Sequence, residues 1–177
     1  MIKSQKEQSL VRFLFGLFDS ISGDDMSNYI CNGGISLHDC RATKIETDLN
    51  SLRLLFPDGV CLLKDNSLNT VGKIVRTGKA EVTLKDFKFE SFTVCKPVRL
   101  IRKTLLTVCR EVSFEKLREN VNGDKWSVEF IDNYESGGSH LFRVMLWQKN
   151  KWYNCLIEMR YEGISTRFDG VQQDRVW

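Results

Sequence analysis

From Trp126 to Phe168 apolar and polar residues alternate in long runs. Only β-strands bury one side of a chain with a period of two. Tyr153, Cys155, Ile157, Met159 and Tyr161 share one face; Trp152, Asn154, Leu156, Glu158 and Arg160 share the other. The preceding run sets Phe142, Val144 and Leu146 against Leu141, Arg143, Met145 and Trp147, and the polar stretch Gln148 to Lys151 turns one run into the next. Upstream, Trp126, Val128 and Phe130 alternate with Ser127 and Glu129 before the permissive loop Glu135-Ser136-Gly137-Gly138-Ser139. Downstream, Ile164, Thr166 and Phe168 alternate after Glu162-Gly163. The economical reading is a consecutive antiparallel set of four strands, with one face that something must cover.

The same period runs through the first half of the chain. It predicts a strand from Ile35 to about Ile45, with Ile35, Leu37 and Asp39 on one face and His38, Cys40 and Ala42 on the other. Leu52, Leu54 and Phe56 alternate up to the turn signal Pro57-Asp58-Gly59, and Val60 to Leu63 returns as the second arm of a hairpin. Ala80, Val82 and Leu84 make a half-buried strand whose period Phe87 and Phe89 continue. Phe92 and Val94 belong to a following strand; Pro97 has no N–H to give, so this strand is at an edge or ends there. Arg99 to Arg110 fits a strand by its β-branched residues and a helix by its length. Ser113 is placed to cap a helix from Phe114 to about Val121, with Phe114, Leu117 and Val121 on its buried face and Gly123 past its end.

A different period governs the N-terminus. Leu10, Leu14, Leu17 and Ile21 are spaced for one face of a helix, with Phe13 beside them. Arg12 interrupts the apolar run and no small-residue cleavage site follows, which argues against a secretory signal. The run is also short of the roughly 20 residues that a spanning helix needs. We therefore expect residues 1–25 to form an accessory helix packed on the domain or on a dimer partner, and 26–177 to form a single β-rich domain. Met26 is an alternative start. The fold class is α+β: about nine or ten strands in a mostly antiparallel sandwich, curved sheet or partial barrel, with the N-terminal helix and one short helix near 114–121.

A chain of 177 residues supports one sizeable core without help from disulfides. The six cysteines include no Cys-x-x-Cys pair and mostly lie in apolar or alternating runs. The expectation is six free thiols in a reducing cytoplasm. A net charge of +3 permits an anionic partner without demanding one.

Candidate chemistry is sparse. His38-Asp39-Cys40 places a base, an acid and a nucleophile in succession, but on a strand Asp39 would point away from the other two. His140 is the only other histidine able to serve Cys40, since the chain has two. The same residues lack the paired short spacings of a zinc site, so no metal and no cofactor are expected. Lys96, Arg99, Arg102, Lys103 and Arg110 form a basic stretch without interleaved aromatics, which disfavours nucleic acid. Trp147 and Trp152 flank one turn and share mixed faces with Arg143 and Arg160, a pattern suited to protein contacts.

The segment Gly33-Gly34-Ile35-Ser36-Leu37-His38-Asp39-Cys40, followed by Leu52 to Gly59 ending in Phe-Pro-Asp-Gly, resembles a loose group of small β-rich bacterial proteins without assigned function. That resemblance spans Tyr29 to Gly78 and implies no activity. The leading expectation is a non-enzymatic module that binds another protein or a second copy of itself, in a neutralising or regulatory role. Its contacts would be Trp147, Trp152, Arg143 and Arg160. The alternatives are a Cys/His hydrolase using Cys40 with His38 or His140, and a carrier of a small apolar ligand. Membrane association is not expected.

Overall fold

A computed structural model describes residues 34–99 and 105–176. The expected N-terminal helix over 1–25 lies outside the described residues. In chain order the strands are β1 (Ile35–Ser36), β2 (Cys40–Ala42), β3 (Lys44–Thr47), β4 (Ser51–Phe56), β5 (Cys61–Leu62), β6 (Val75–Thr77) and β7 (Ala80–Lys85). They continue as β8 (Lys88–Arg99), β9 (Leu105–Glu111), β10 (Ser127–Ser136), β11 (Ser139–Gln148), β12 (Lys151–Arg160), β13 (Gly163–Phe168) and β14 (Val171–Val176). The helix α1 (Phe114–Asn122) lies between β9 and β10. All pairings are antiparallel and make three sheets: sheet A in the order β1-β5-β6-β14, sheet B β2-β10-β11-β12-β8-β9, and sheet C β13-β7-β4-β3. The chain is thus a mostly antiparallel β protein. Among the described residues no helix is long and apolar enough to cross a membrane.

The meander β10-β11-β12 follows the alternation directly. Gly137 and Gly138, both at positive φ, make the two-residue turn between Ser136 and Ser139. Lys149 at φ 54° serves the next turn, between Gln148 and Lys151. The fourth expected strand departs from the reading: β13 leaves the meander and pairs with β7 in sheet C, because β8 already occupies the free edge of β12. Similarly, β4 and β5 do not make a hairpin. β4 pairs with β3 and β7, while β5 crosses to sheet A and pairs with β1 and β6.

Short strands are where a period of two loses its grip. The strand expected from Ile35 to Ile45 is three pieces, broken at Leu37–Asp39 and at Thr43. Asp39 takes φ 53° and Cys40 N donates to Leu37 O at 2.9 Å, closing a tight turn. Further on, Asp86 at φ 52° ends β7, so Phe89 belongs to β8 and not to the strand before it. The basic stretch resolves as strand on both sides of residues 100–104. The fold has fourteen strands among the described residues, more than expected, because four of them are two or three residues long.

The helix matches its sequence signals. Ser113 Oγ accepts from Lys116 N, Leu117 and Val121 are buried, and Gly123 N donates to Glu119 O. Phe114 packs against Phe87 and Phe89 with tilted rings, centroids 5.7 and 5.0 Å away. Asn122 closes the edge of sheet C: its Nδ2 donates to Ile45 O and its Oδ1 accepts from Ile45 N, both at 2.8 Å. One cluster of buried side chains draws on all three sheets and the helix. Phe130 on β10 meets Phe56 of sheet C at 5.8 Å and Phe142 of β11 edge-on at 5.5 Å.

Gly59 has no freedom to be anything else. Its φ is +78°, and an added Cβ would come within 2.1 Å of Thr77 O. Gly59→Ala should lower stability by more than about 1 kcal/mol in a denaturant titration. An unchanged midpoint would show that the β4–β5 crossover is not held as described.

Candidate functional site

Pro97 shapes the end of sheet B. The ladder between β12 and β8 stops at the pair Asn154–Cys95. On the other side β8 stays paired with β9 through Pro97–Thr107 and Val98–Leu106 to Arg99–Leu105. A residue with no N–H cannot continue both ladders, so beyond Cys95 the β8–β9 pair runs on as a ribbon of two strands.

The ribbon is clamped at its base. Cys95 and Cys109 face each other across the two strands, with Cα atoms 4.1 Å apart, and are joined by a disulfide. The expectation of six free thiols does not hold for this pair, and a disulfide is unusual in the reducing cytoplasm read from the sequence. Cys40, Cys61 and Cys155 are free and buried; Cys31 lies outside the described residues.

Past the clamp the ribbon is apolar and open to solvent. Val98, Leu106 and Val108 are 40, 46 and 52 % exposed. They project on the side of the sheet that elsewhere faces the core, because Val94 pairs with Arg110 and is buried. Beside them a groove of about 390 Å³ runs over Val94, Trp126, Leu146 and Tyr153. Lys96, Arg110 and Lys116 line it against one acid, Glu111, and Lys96 Nζ sits 4.5 Å over the Tyr153 ring. β9 is the last strand of sheet B, so its outer edge carries no strand among the described residues.

The four residues read as a binding set fall on one face of sheet B, opposite the core, but not in one place. Trp147 and Trp152 pair directly across the β11–β12 turn. Trp147 is committed within the fold: its Nε1 donates to Glu129, and Arg41, bonded to Glu129 at 2.9 Å, lies 4.5 Å over its ring. Trp152 is 52 % exposed at the ribbon end. Arg143 pairs with Asp132. Arg160 stands at the far end of β12, roughly 27 Å from Trp152 at strand rise, and pairs with Glu90 at 3.1 Å. Trp152 alone of the four stands exposed at the ribbon end, and it does so on the face opposite Val98, Leu106 and Val108. The ribbon's apolar residues were missed, although Pro97 and the alternating Leu106 and Val108 were the available signal.

The residues read as catalytic candidates separate. The Leu37–Cys40 turn brings His38 Nε2 to 3.5 Å from Asp39 Oδ2, where a continuous strand would have parted them. His38 Nδ1 donates to Ile131 O at 2.6 Å. Cys40 Sγ is wholly buried and donates to His38 O at 3.2 Å, the backbone and not the ring. His140 lies on β11, stacked on Tyr161 at 4.0 Å, and burial lowers its pKa. The sulfur beside Cys40 is that of Cys61, a neighbour the sequence reading did not pair with it. Among the described residues no group of three His, Cys, Asp or Glu is placed to hold a metal ion. No protein-family model, no curated protein and no solved structure matches the chain.

The clamp makes a measurable claim. A disulfide closing a loop of this length contributes up to about 3 kcal/mol. Reducing it, or replacing both cysteines by serine, should speed amide exchange in β9 by up to about a hundredfold and leave β11 unchanged. Equal protection of β9 with and without the bond would show the clamp to be idle.

Proposed function

We propose that the chain is a non-enzymatic binding module, neutralising or regulatory, that holds another protein at the free end of sheet B. The observation that carries this reading is the exposure of Val98, Leu106 and Val108 on one face of the ribbon. Contiguous apolar surface of this kind is unusual unless something covers it. The partner adds an extended segment along the outer edge of β9, where backbone groups supply affinity and alternate side chains supply selectivity. Lys96, Arg110 and Lys116 beside the apolar groove favour a segment that alternates apolar and acidic residues. The same reading takes sheets A and C as the layer facing sheet B in a β sandwich, with the ribbon extending past the layer. The single buried cluster shared by the three sheets supports that arrangement.

A second reading has one observation in its favour. The groove of about 390 Å³ is within the size range of small-molecule sites, and its apolar floor and cationic rim would suit an amphipathic anion carried by the protein.

Site-directed photo-crosslinking in cells separates these readings. A photoreactive residue in place of Val108 should join the chain to one other protein, and the same residue in place of Glu81 on sheet C should not. Leu106→Asp combined with Val98→Ala should remove the adduct without unfolding the chain, since exposed substitutions change stability by only about 0.5 kcal/mol. Adduct formation should also weaken with salt. An adduct of twice the chain's mass would replace the partner with a second copy. Absence of any protein adduct, with extra mass on the purified chain in native mass spectrometry that vanishes on denaturation, would favour the carrier.

A further inference from the structure

Three elements meet at the Leu37–Cys40 turn. β2 of sheet B brings Cys40, β5 of sheet A brings Cys61, and β6 brings Arg76. Both sulfurs lie against the carbonyl oxygen of His38, Cys40 Sγ at 3.2 Å and Cys61 Sγ at 3.9 Å. One carbonyl oxygen thus brings two sulfurs from different sheets together. Arg76 Nη2 is 3.5 Å from Cys40 Sγ and is anchored there by donating to Asp39 O at 2.7 Å. The turn thus does two things: the positive φ of Asp39 aims one carbonyl at the arginine, and the preceding carbonyl gathers the thiols.

We propose that Cys40 and Cys61 are a reactive dithiol, a site at which a peroxide removes two electrons and leaves a disulfide that joins sheet A to sheet B. A guanidinium fixed beside two thiols gathered on one carbonyl stabilises a thiolate, the form that reacts. The Cys61 thiolate attacks one oxygen of hydrogen peroxide. The O–O bond breaks, hydroxide leaves and takes a proton from solvent, and Cys61 becomes a sulfenic acid. The Cys40 sulfur then attacks the Cys61 sulfur. The S–S bond forms, the S–O bond breaks, and the departing hydroxide combines with the Cys40 proton. Two thiols and one peroxide give one disulfide and two waters. Both sulfurs start against the same carbonyl oxygen, at 3.2 and 3.9 Å, and the last step brings them to the roughly 2 Å of a disulfide bond.

The division of roles follows from the surroundings. Cys40 is wholly buried and Cys61 slightly exposed, so Cys61 is the sulfur a peroxide reaches first and Cys40 the resolving one. The neighbouring Cys40, and after it the charge of Arg76, draw the Cys61 thiol down, while Cys61 and burial push Cys40 up. Cys155 is a built-in control: it too is buried, and burial pushes it up to about 12. His38, Asp39 and Arg76 are half-exposed around the pair, which a small oxidant can reach more readily than a bulky one.

The test uses the purified full chain at neutral pH, with hydrogen peroxide as probe and non-reducing peptide mapping by mass spectrometry as readout. The expected product is a Cys40–Cys61 linked peptide pair, short of two hydrogens and reversed by a dithiol reductant, formed more than about a hundredfold faster than any oxidation of Cys155. In Cys40→Ser the reaction should stop at a Cys61 sulfenic acid that dimedone traps; in Cys61→Ser neither product should form. Should either variant fail to fold, the map of the unaltered chain decides alone. Oxidation of Cys155 at the same rate, a bond from either thiol to Cys31, or no linked pair before methionine oxidises would each overturn the assignment.

Discussion

The inner face of sheet B has to be covered, and most of the architecture answers that requirement. Val128, Phe130, Phe142, Val144, Cys155, Ile157, Phe92 and Val94 line it and are buried. No single sheet of four short strands could shield six strands of this length. Sheets A and C share the task, and α1 contributes Leu117 and Val121 to the same cluster. Phe130 links sheet B to sheet C, meeting Phe56 of β4 and, within its own sheet, Phe142 of β11. Buried aromatics of this kind each remove a large apolar area from water, so the cost of leaving β13 in the meander would be an uncovered core. Its transfer to β7 in sheet C follows from that need, not from its own alternation.

Where that covering ends, the character of sheet B changes. The alternation of β8 and β9 continues past Cys95, but the side chains that would be core at Val94 are solvent-exposed at Val98, Leu106 and Val108. A two-stranded ribbon with bare apolar residues is marginal in water. Here the cross-strand disulfide fixes the pair at the point where the β12 ladder lets go. A proline that ends one ladder, a covalent link that preserves the other and an edge strand with no neighbour among the described residues together define the apolar margin of the sheet.

Much of this was legible in the sequence, for reasons that differ by element. The β10-β11-β12 strands and α1 were readable because long periodic runs, paired glycines and an Ser113 cap each act locally. The turn at Leu37–Asp39 was not, since nothing in a run alternating as Ile35, Leu37 and Asp39 announces that Asp39 will adopt a left-handed backbone. Partner choice was also hidden: Val60 to Leu63 alternates equally well with β4 beside it or with β6, and only the tertiary fold selects β6. Trp147 and Trp152 read alike in sequence. Neighbours remote in the chain, Arg41 and Glu129, make the first a structural residue and leave the second exposed.

The cysteines show most clearly how position decides chemistry. Cys95 and Cys109 share strand register and an outward face, so the sheet itself delivers their sulfurs to each other. Cys40 and Cys61 come from different sheets and meet only because a turn of three residues folds β2 back beneath a carbonyl that both sulfurs contact. Cys155 is equally buried, yet among the described residues no guanidinium lies on its sulfur, and burial disfavours its thiolate. The difference between an inert thiol and a reactive one in this fold is therefore Arg76, a residue on β6 whose placement depends on the Gly59 crossover that sends the chain from sheet C into sheet A. A local strain point at Gly59 and a reactive pair at Cys40 and Cys61 are two consequences of the same change of sheet.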